Sequence, residues 1–246
     1  MSNDAWNLLA AFEWVILNSC AFKILSGGLC LKVFALDSVW SKTCRVFRFS
    51  NLNFFSMKRA LFLNGSFRQG NTSTLIAWAN DALGPDFEAT EVNVAKLKNA
   101  VNGCANCGGC KETGSCALGD DSAKLIDSLQ YFDVIAFCSP IYMAGITAAL
   151  KAVIDRFHAI IEEDAEGNLT CKLKDKKFVA ILHGGGDEND SGLDSVVLQL
   201  KHFASFMEAA EFPTFFQGGL GFDASKLRGN KQAKLSLIEF VEKNFK

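Results

Sequence analysis

ALFLNGSFRQGNTSTLIA, residues 60–77, decides how this chain is read: a short apolar strand, a polar turn bracketed by Gly65 and Gly70, and the opening of a helix. Asn71, Thr72, Ser73 and Thr74 are residue types that cap helices, and Leu75, Ile76 and Ala79 follow them as an apolar helix face. A turn of this kind points several backbone N–H groups, and the positive end of a helix dipole, at one spot. That spot suits a phosphate. The alternative is an ordinary surface turn leading into a helix.

The spacing sorts the phosphate ligands. Gly65 to Thr72 fits G-x-x-x-x-G-x-T, but Asn71 stands where a nucleoside-triphosphate loop needs the lysine that reaches the β and γ phosphates. The dinucleotide pattern G-x-G-x-x-G is missing at this turn as well. What is left is a loop rich in hydroxyl and amide donors, with Arg68, sized for one phosphate monoester.

Composition narrows the class. The 246 residues make one large domain, or one domain with an appendage, and a net charge of −2 gives no electrostatic case for nucleic acid. Nine cysteines without a secretory pattern fit a reducing, cytoplasmic compartment, where clustered cysteines more often signal metal or redox chemistry than disulfides.

Residues 1–56 differ from the rest. They hold three of the four tryptophans and the cysteines Cys20, Cys30 and Cys44, yet show no clean period. Glu13, Lys23, Lys32 and Asp37 interrupt the apolar runs before any reaches the roughly 18–20 residues of a membrane span, and no signal-peptide pattern is present. Met57 precedes Lys58-Arg59 and the first clear strand. The expectation is a non-native or poorly ordered N-terminal extension over 1–56, such as an upstream start assigned in error, with a family-specific docking segment as the alternative. An intact mass of the natural protein retaining Met1 would contradict the first reading.

From residue 57 onward strands and helices alternate. Strands are predicted at Ala60–Leu63, Phe87–Val94, Val134–Cys138, Phe178–Leu182 and Pro213–Gln217, several of them apolar throughout, as a sheet covered on both faces requires. Apolar stripes mark helices between and after them: Leu150, Val153, Ile154, Phe157 and Ile161; Leu193, Val196, Val197, Leu200, Ala204 and Met207; and Leu235, Ile238 and Val241. The pattern predicts an α/β fold, a flavodoxin-like doubly wound five-stranded parallel sheet of order 2-1-3-4-5.

Such a sheet binds ligands beyond the carboxyl ends of its strands, where the order reverses between the first and third. Three loops leave that rim: Gly65–Thr72, Ser139–Thr147 and His183–Gly192. In SPIYMAGIT, Pro140, Ile141, Tyr142, Met143 and a permissive Gly145 suit a flat aromatic ligand, although a plain strand-to-helix turn reads the same way. In HGGGDEND, Gly184 and Gly185 let the backbone approach a ligand closely, and His183 either touches the ring or is a satisfied structural histidine. A phosphate cradle beside a slot for a planar ring describes a mononucleotide, with FMN the obvious candidate.

Residues 58–246 resemble the NADPH-dependent FMN reductase and flavodoxin-like oxidoreductase family, through GSFRQGNT, through SPIYMAGITAALKAVIDRF and through the order of elements between them. The resemblance implies FMN, with Ser66, Arg68, Asn71 and Thr72 at the phosphate and Pro140 to Gly145 at the isoalloxazine ring. It also implies NAD(P)H as co-substrate and a homodimer or homotetramer. Gly70 departs from the serine many such reductases carry, and residues 1–56 have no counterpart. Asp155 and Arg156 match the family's usual D-R, and on spacing alone they read as a solvated helix face or a subunit contact.

Cys104, Cys107, Cys110 and Cys116 form C-x2-C-x2-C-x5-C. Structural zinc usually divides its ligands between separated pairs; a compact thiolate run is closer to ferredoxin ligation, although the last gap here is longer. The spacing resembles the iron–sulfur flavoprotein branch of the same family, in which four cysteines hold a 4Fe-4S cluster beside FMN. Zinc and free redox-active thiols stay open. Cys138, inside an apolar strand, reads as a core residue. Asp120 and Asp121 read as cap and dipole partners of the helix that follows.

The expected function is an FMN-dependent oxidoreductase carrying electrons from NAD(P)H to a small acceptor such as a quinone or flavin. The flavin would supply the chemistry, so no catalytic side chain is assigned. The rival is an electron carrier with FMN and a 4Fe-4S cluster serving a redox protein; a flavin-free binding module is the third reading. Neither nucleic acid nor membrane is expected as a partner.

Overall fold

The computed structural model describes residues 57–246 and, upstream of them, only an antiparallel pairing of Ile24–Leu25 with Gly28–Leu29. The chain divides into two units, Met1–Phe54 and Phe55–Lys246. The expectation of a non-native extension over 1–56 lies outside the described residues.

The apolar run at the start of the decisive stretch forms strand β1 (Lys58–Asn64), and helix α1 (Asn71–Leu83) follows the polar turn. Helix α1 ends at Gly84, whose φ of +78° is a conformation glycine adopts without strain, and Pro85 bars its continuation. Strand β2 (Phe87–Asn93) then pairs parallel to β1. The cysteine-bearing loop contains a short helix α2 (Gly109–Thr113) and leads to α3 (Asp121–Ser128), whose N-terminus is capped by the Asp120 carboxylate accepting from Ala123 N–H at 3.1 Å. Strand β3 (Val134–Pro140), buried along its whole length, and helix α4 (Ala148–Arg156) come next.

A small antiparallel hairpin, β4 (Ile161–Glu163) with β5 (Leu169–Cys171), was not anticipated from the sequence. Strand β6 (Lys177–His183), helix α5 (Leu193–Phe206), strand β7 (Thr214–Gln217), helix α6 (Ser225–Arg228) and helix α7 (Lys231–Asn244) complete the unit.

The main sheet is five-stranded and parallel, in the order β2-β1-β3-β6-β7. Without the inserted hairpin this is the expected flavodoxin-like order. Alternate side chains of each central strand enter opposite layers. Ala60 and Phe62, Val134 and Ala136, and Val179 and Ile181 pack with Leu75, Ala79, Leu237 and Val241 of α1 and α7. Leu61 and Leu63, Ile135 and Phe137, and Phe178 pack with Ile126, Leu150, Val153 and Phe203 of α3, α4 and α5. Phe137 centres this second layer, with the rings of Phe157, Phe203 and Phe212 at 5.9, 5.5 and 5.5 Å. Cys138, the next residue along β3, belongs to the first layer, fully buried as a core residue, and burial, with Glu91, pushes its thiol well up.

The register brings the strand ends level. Asn64 pairs with both Asn93 and Cys138, and Pro140 pairs with His183. The loops after β1, β3 and β6 therefore leave one edge together. Among the described residues no helix is long and apolar enough to cross a membrane.

Candidate functional site

A buried and a half-buried asparagine, Asn64 and Asn93, hold the turn after β1. Ser66 N–H donates to Asn64 Oδ1 at 2.9 Å, Asn64 Nδ2 donates to Glu91 at 2.7 Å, and Asn93 Nδ2 donates to Ser66 O at 3.2 Å. Two asparagines ending adjacent strands are the signal that sequence reading passed over, since strands avoid that residue. Ser66 Oγ donates to Arg68 O at 2.7 Å, which folds the loop on itself. Thr147 joins the turn to the next loop: its N–H donates to Ser139 Oγ, and its hydroxyl donates to Gly65 O at 2.7 Å. That hydroxyl also caps α4.

No side chain caps the N-terminus of α1, as is also true of α2, α5 and α6, whereas α3, α4 and α7 are capped by Asp120, Thr147 and Asn230. Beside it Asn71 is 3% exposed, and its Oδ1 is buried without a hydrogen-bond partner. Asn71 Nδ2 donates to Gly221 O at 3.1 Å, which fixes the amide's orientation and leaves its buried oxygen as an unpaired acceptor. A buried acceptor without a partner costs about 1–3 kcal/mol. A ligand bearing both an anionic group and hydroxyl donors would satisfy the helix end and the asparagine together.

A fourth segment, absent from the sequence reading, lies against this turn. Arg68 Nη1 donates to Phe222 O at 2.7 Å, and its guanidinium sits 5.5 Å from the Phe222 ring, which is 88% exposed. The glycine run after β6 lies against this segment: Gly184 N–H donates to Gln217 O, Leu220 N–H to Gly184 O and Gly219 N–H to Gly186 O. A Cβ on Gly218 would lie 2.6 Å from Gly186 O, which is why two backbones run side by side here.

In the loop after β3, Tyr142 and Gly145 exchange backbone hydrogen bonds at 2.9 and 3.0 Å around Met143 and Ala144. Those two residues take φ of +49° and +58°, whereas Gly145 is not left-handed. The expectation that Gly145 supplies the permissive position is thus corrected. Two side-chain-bearing residues in this region carry strain of roughly 1–2 kcal/mol each, and such strain gathers at ligand-holding turns. Met143 is 101% exposed at the tip, and Ile141 is buried beneath.

His183 ends β6 at 5% exposure, with Nε2 2.9 Å from Thr72 Oγ1. Burial, aided by the Arg68 charge, lowers its pKa from 6.5 to about 4. Between those values the unfolded chain binds a proton that the folded chain refuses, so stability is complete above pH 6.5 and falls as the pH drops toward 4. The expected loss is about 2 kcal/mol at pH 5 relative to pH 7. Urea unfolding at the two pH values checks it, and a His183→Gln variant should flatten the difference.

The cysteine loop forms a second locus. Cys104, Cys107, Cys110 and Cys116 all line one cavity of about 40 Å³ whose floor includes Arg156 and His158. Among the described residues no three metal-ligating side chains are drawn together as a ready ligand set. The donor chemistry is that of a thiolate site, and the arrangement is open. Arg156, expected on a solvated face, is 1% exposed. Its side chain donates to Asn102 O through Nε and Nη2, to both Asp120 oxygens at 2.7 and 2.8 Å, and to Cys116 Sγ at 3.7 Å. The two ends of the loop thus meet on one guanidinium. Asp120 is a cap, as expected, and also half of a buried ion pair.

A doubly wound parallel sheet of this order, with three loops and an uncapped helix N-terminus at its switch point, is a flavodoxin-like α/β fold. The family model of NADPH-dependent FMN reductases matches residues 58–221. The chain belongs to that family and is an oxidoreductase. It is 26% identical over 168 residues to an iron-sulfur flavoprotein of Methanocaldococcus jannaschii, covering 66% of this chain and 82% of that protein. An iron-sulfur flavoprotein of Archaeoglobus fulgidus is 32% identical over 101 residues, covering 41% of this chain and 45% of the relative. Among solved structures, an FMN-dependent NADH-azoreductase of Bacillus anthracis in complex with FMN superposes with a TM-score of 0.57 at 12% identity, covering 76% of this chain and 99% of the other. An NAD(P)H:quinone oxidoreductase of Methanothermobacter marburgensis gives 0.55 at 12%, covering 76% and 96%. At such identities the two structures speak for the fold.

Proposed function

We propose that this protein binds FMN at the β1–β3 edge and passes electrons from NAD(P)H to a small acceptor, a quinone or a free flavin. The observation that carries this is the uncapped α1 N-terminus beside the partnerless Asn71 carbonyl. FMN brings a phosphate for the first and ribityl hydroxyl donors for the second. Ser66, Arg68, Asn71 and Thr72 would hold the phosphate end. Pro140, Ile141, Tyr142, Met143 and Gly145 would flank the ring, with the exposed Met143 thioether as a soft contact. When bound, FMN supplies the exchange of electrons, and the chain orients it. The strained Tyr142–Gly145 turn fixes one wall of the ring slot, and the Arg68 charge offsets that of the phosphate. His183, neutral at physiological pH, sits behind Thr72 and is too buried to serve as an acid at the ring.

Protein purified without oxygen should carry about one FMN per chain, bleached by NAD(P)H and recovered on adding a quinone. Colourless protein that takes up no FMN would overturn the proposal.

The second reading is an iron–sulfur flavoprotein electron carrier. Four cysteines facing one cavity favour it, as do the names of the two relatives above. About four irons and matching acid-labile sulfide per chain would establish it, with Cys104, Cys107, Cys110 and Cys116 as the ligands. Bleaching only by a ferredoxin-like donor would make the protein a carrier.

A further inference from the structure

We infer that His183 is a positioning residue for the phosphate, acting through the Thr72 hydroxyl by donating its Nε2 proton to it. The inference rests on the reading of the α1 N-terminus as the FMN phosphate site.

Both partners are sealed in, Thr72 at 1% and His183 at 5% exposure, 2.9 Å apart and far apart in sequence. Thr72 is the second residue of α1, so its hydroxyl lies in the turn whose N–H groups have no side-chain cap. A threonine hydroxyl owns one proton and two lone pairs, and a neutral imidazole carries its proton on one nitrogen or the other. If His183 held its proton on Nδ1, Thr72 would have to donate to Nε2. Its oxygen would then turn only lone pairs toward an anion, which repels. If His183 holds the proton on Nε2, Thr72 accepts from it and its own O–H is free to point at the phosphate.

An anion at this helix end therefore selects the second tautomer. The imidazole needs no charge for this, in keeping with a pKa that burial, with the nearby Arg68, holds at about 4. The arrangement differs from a histidine touching the ring: the effect is confined to the phosphate and absent for a ligand without one.

The experiment compares FMN with riboflavin, which lacks the phosphate, on the full-length protein. His183→Met removes the donor, and His183→Gln, whose amide N–H reaches a similar position, restores it. His183→Met is expected to weaken FMN about tenfold while leaving riboflavin unchanged, and His183→Gln to recover most of the loss. Adding Thr72→Val to His183→Met should cost no more than Thr72→Val alone. In the wild-type FMN complex, long-range 1H–15N spectra should show His183 Nε2 as the protonated nitrogen.

Equal weakening of FMN and riboflavin, additive losses, or an unprotonated Nε2 in the complex would overturn the inference and leave the FMN reading intact. Wild-type protein that binds neither ligand would overturn both. Should His183→Met fail to fold, two results on folded protein still decide: an unchanged ratio of FMN to riboflavin affinity in Thr72→Val, or an unprotonated Nε2 in the wild-type FMN complex, overturns the inference, and a protonated Nε2 together with a ratio lowered about tenfold supports it.

Discussion

Replacing Arg156 with methionine is expected to destabilise the protein by about 3–5 kcal/mol, a large share of the stability of an ordinary domain. Methionine fills much of the space and returns none of the donors. It leaves the Asp120 carboxylate, 12% exposed, without its bidentate partner and the Asn102 carbonyl without its two bonds. Burial by itself would raise the Asp120 pKa. The Arg156 hydrogen bonds and the Ala123 N–H outweigh it and hold the carboxyl below its usual value. The stability this pair lends is therefore present above pH 3.8 and lost as the pH falls through the lowered value, beneath the window in which His183 acts. Arg156→Lys keeps the charge but not the planar fork, and should recover less than half. Urea unfolding measures the loss, and limited proteolysis should show new cleavage between residues 102 and 120. Wild-type stability in Arg156→Met would show that the buried pair is energetically idle.

The second large effect is expected at Gly65. A Cβ there would lie 2.7 Å from Thr147 Oγ1 and 2.9 Å from Leu150 Cβ. Neither neighbour is the free end of a flexible chain: Thr147 is held by its bond to Gly65 O, and Leu150 is fully buried. The turn cannot retreat either, because Gly65 N–H donates to Cys138 O at 2.8 Å. Gly65→Ala should therefore cost about 1–3 kcal/mol and shift the turn away from α4. If this turn holds the FMN phosphate as proposed, FMN affinity should fall about tenfold or more, since its donors would have to converge on one group. Fluorescence titration with FMN, alongside unfolding, separates the two effects. Unaltered FMN affinity in a folded Gly65→Ala protein would mean that the phosphate lies elsewhere.

The fold was legible because its central strands are covered on both faces. Ala60–Leu63, Val134–Cys138 and Phe178–Leu182 must be apolar at every position, and such runs between helical stripes leave few topologies. The β4–β5 hairpin has mostly exposed side chains, so it left no apolar pattern to read. The candidate site was legible where one local stretch carries it, as in residues 65–72. It was hidden where distant segments converge. Arg68 and Asn71 meet carbonyls 154 and 150 residues away, and Arg156 meets Asn102 and Asp120 at separations of 54 and 36. A guanidinium on a helix face reads as solvated until its partners are known. The left-handed residues were missed for the converse reason: a turn containing glycine invites the assumption that glycine takes the strained position, and here Met143 and Ala144 take it.

The meeting of Asn102 and Asp120 on one arginine has a consequence for the loop between them. A loop that enters and leaves through a single clasp is tied down at both ends by one side chain, so a change in length within residues 103–119 can be taken up by the loop while Asn102 and Asp120 keep their places on Arg156.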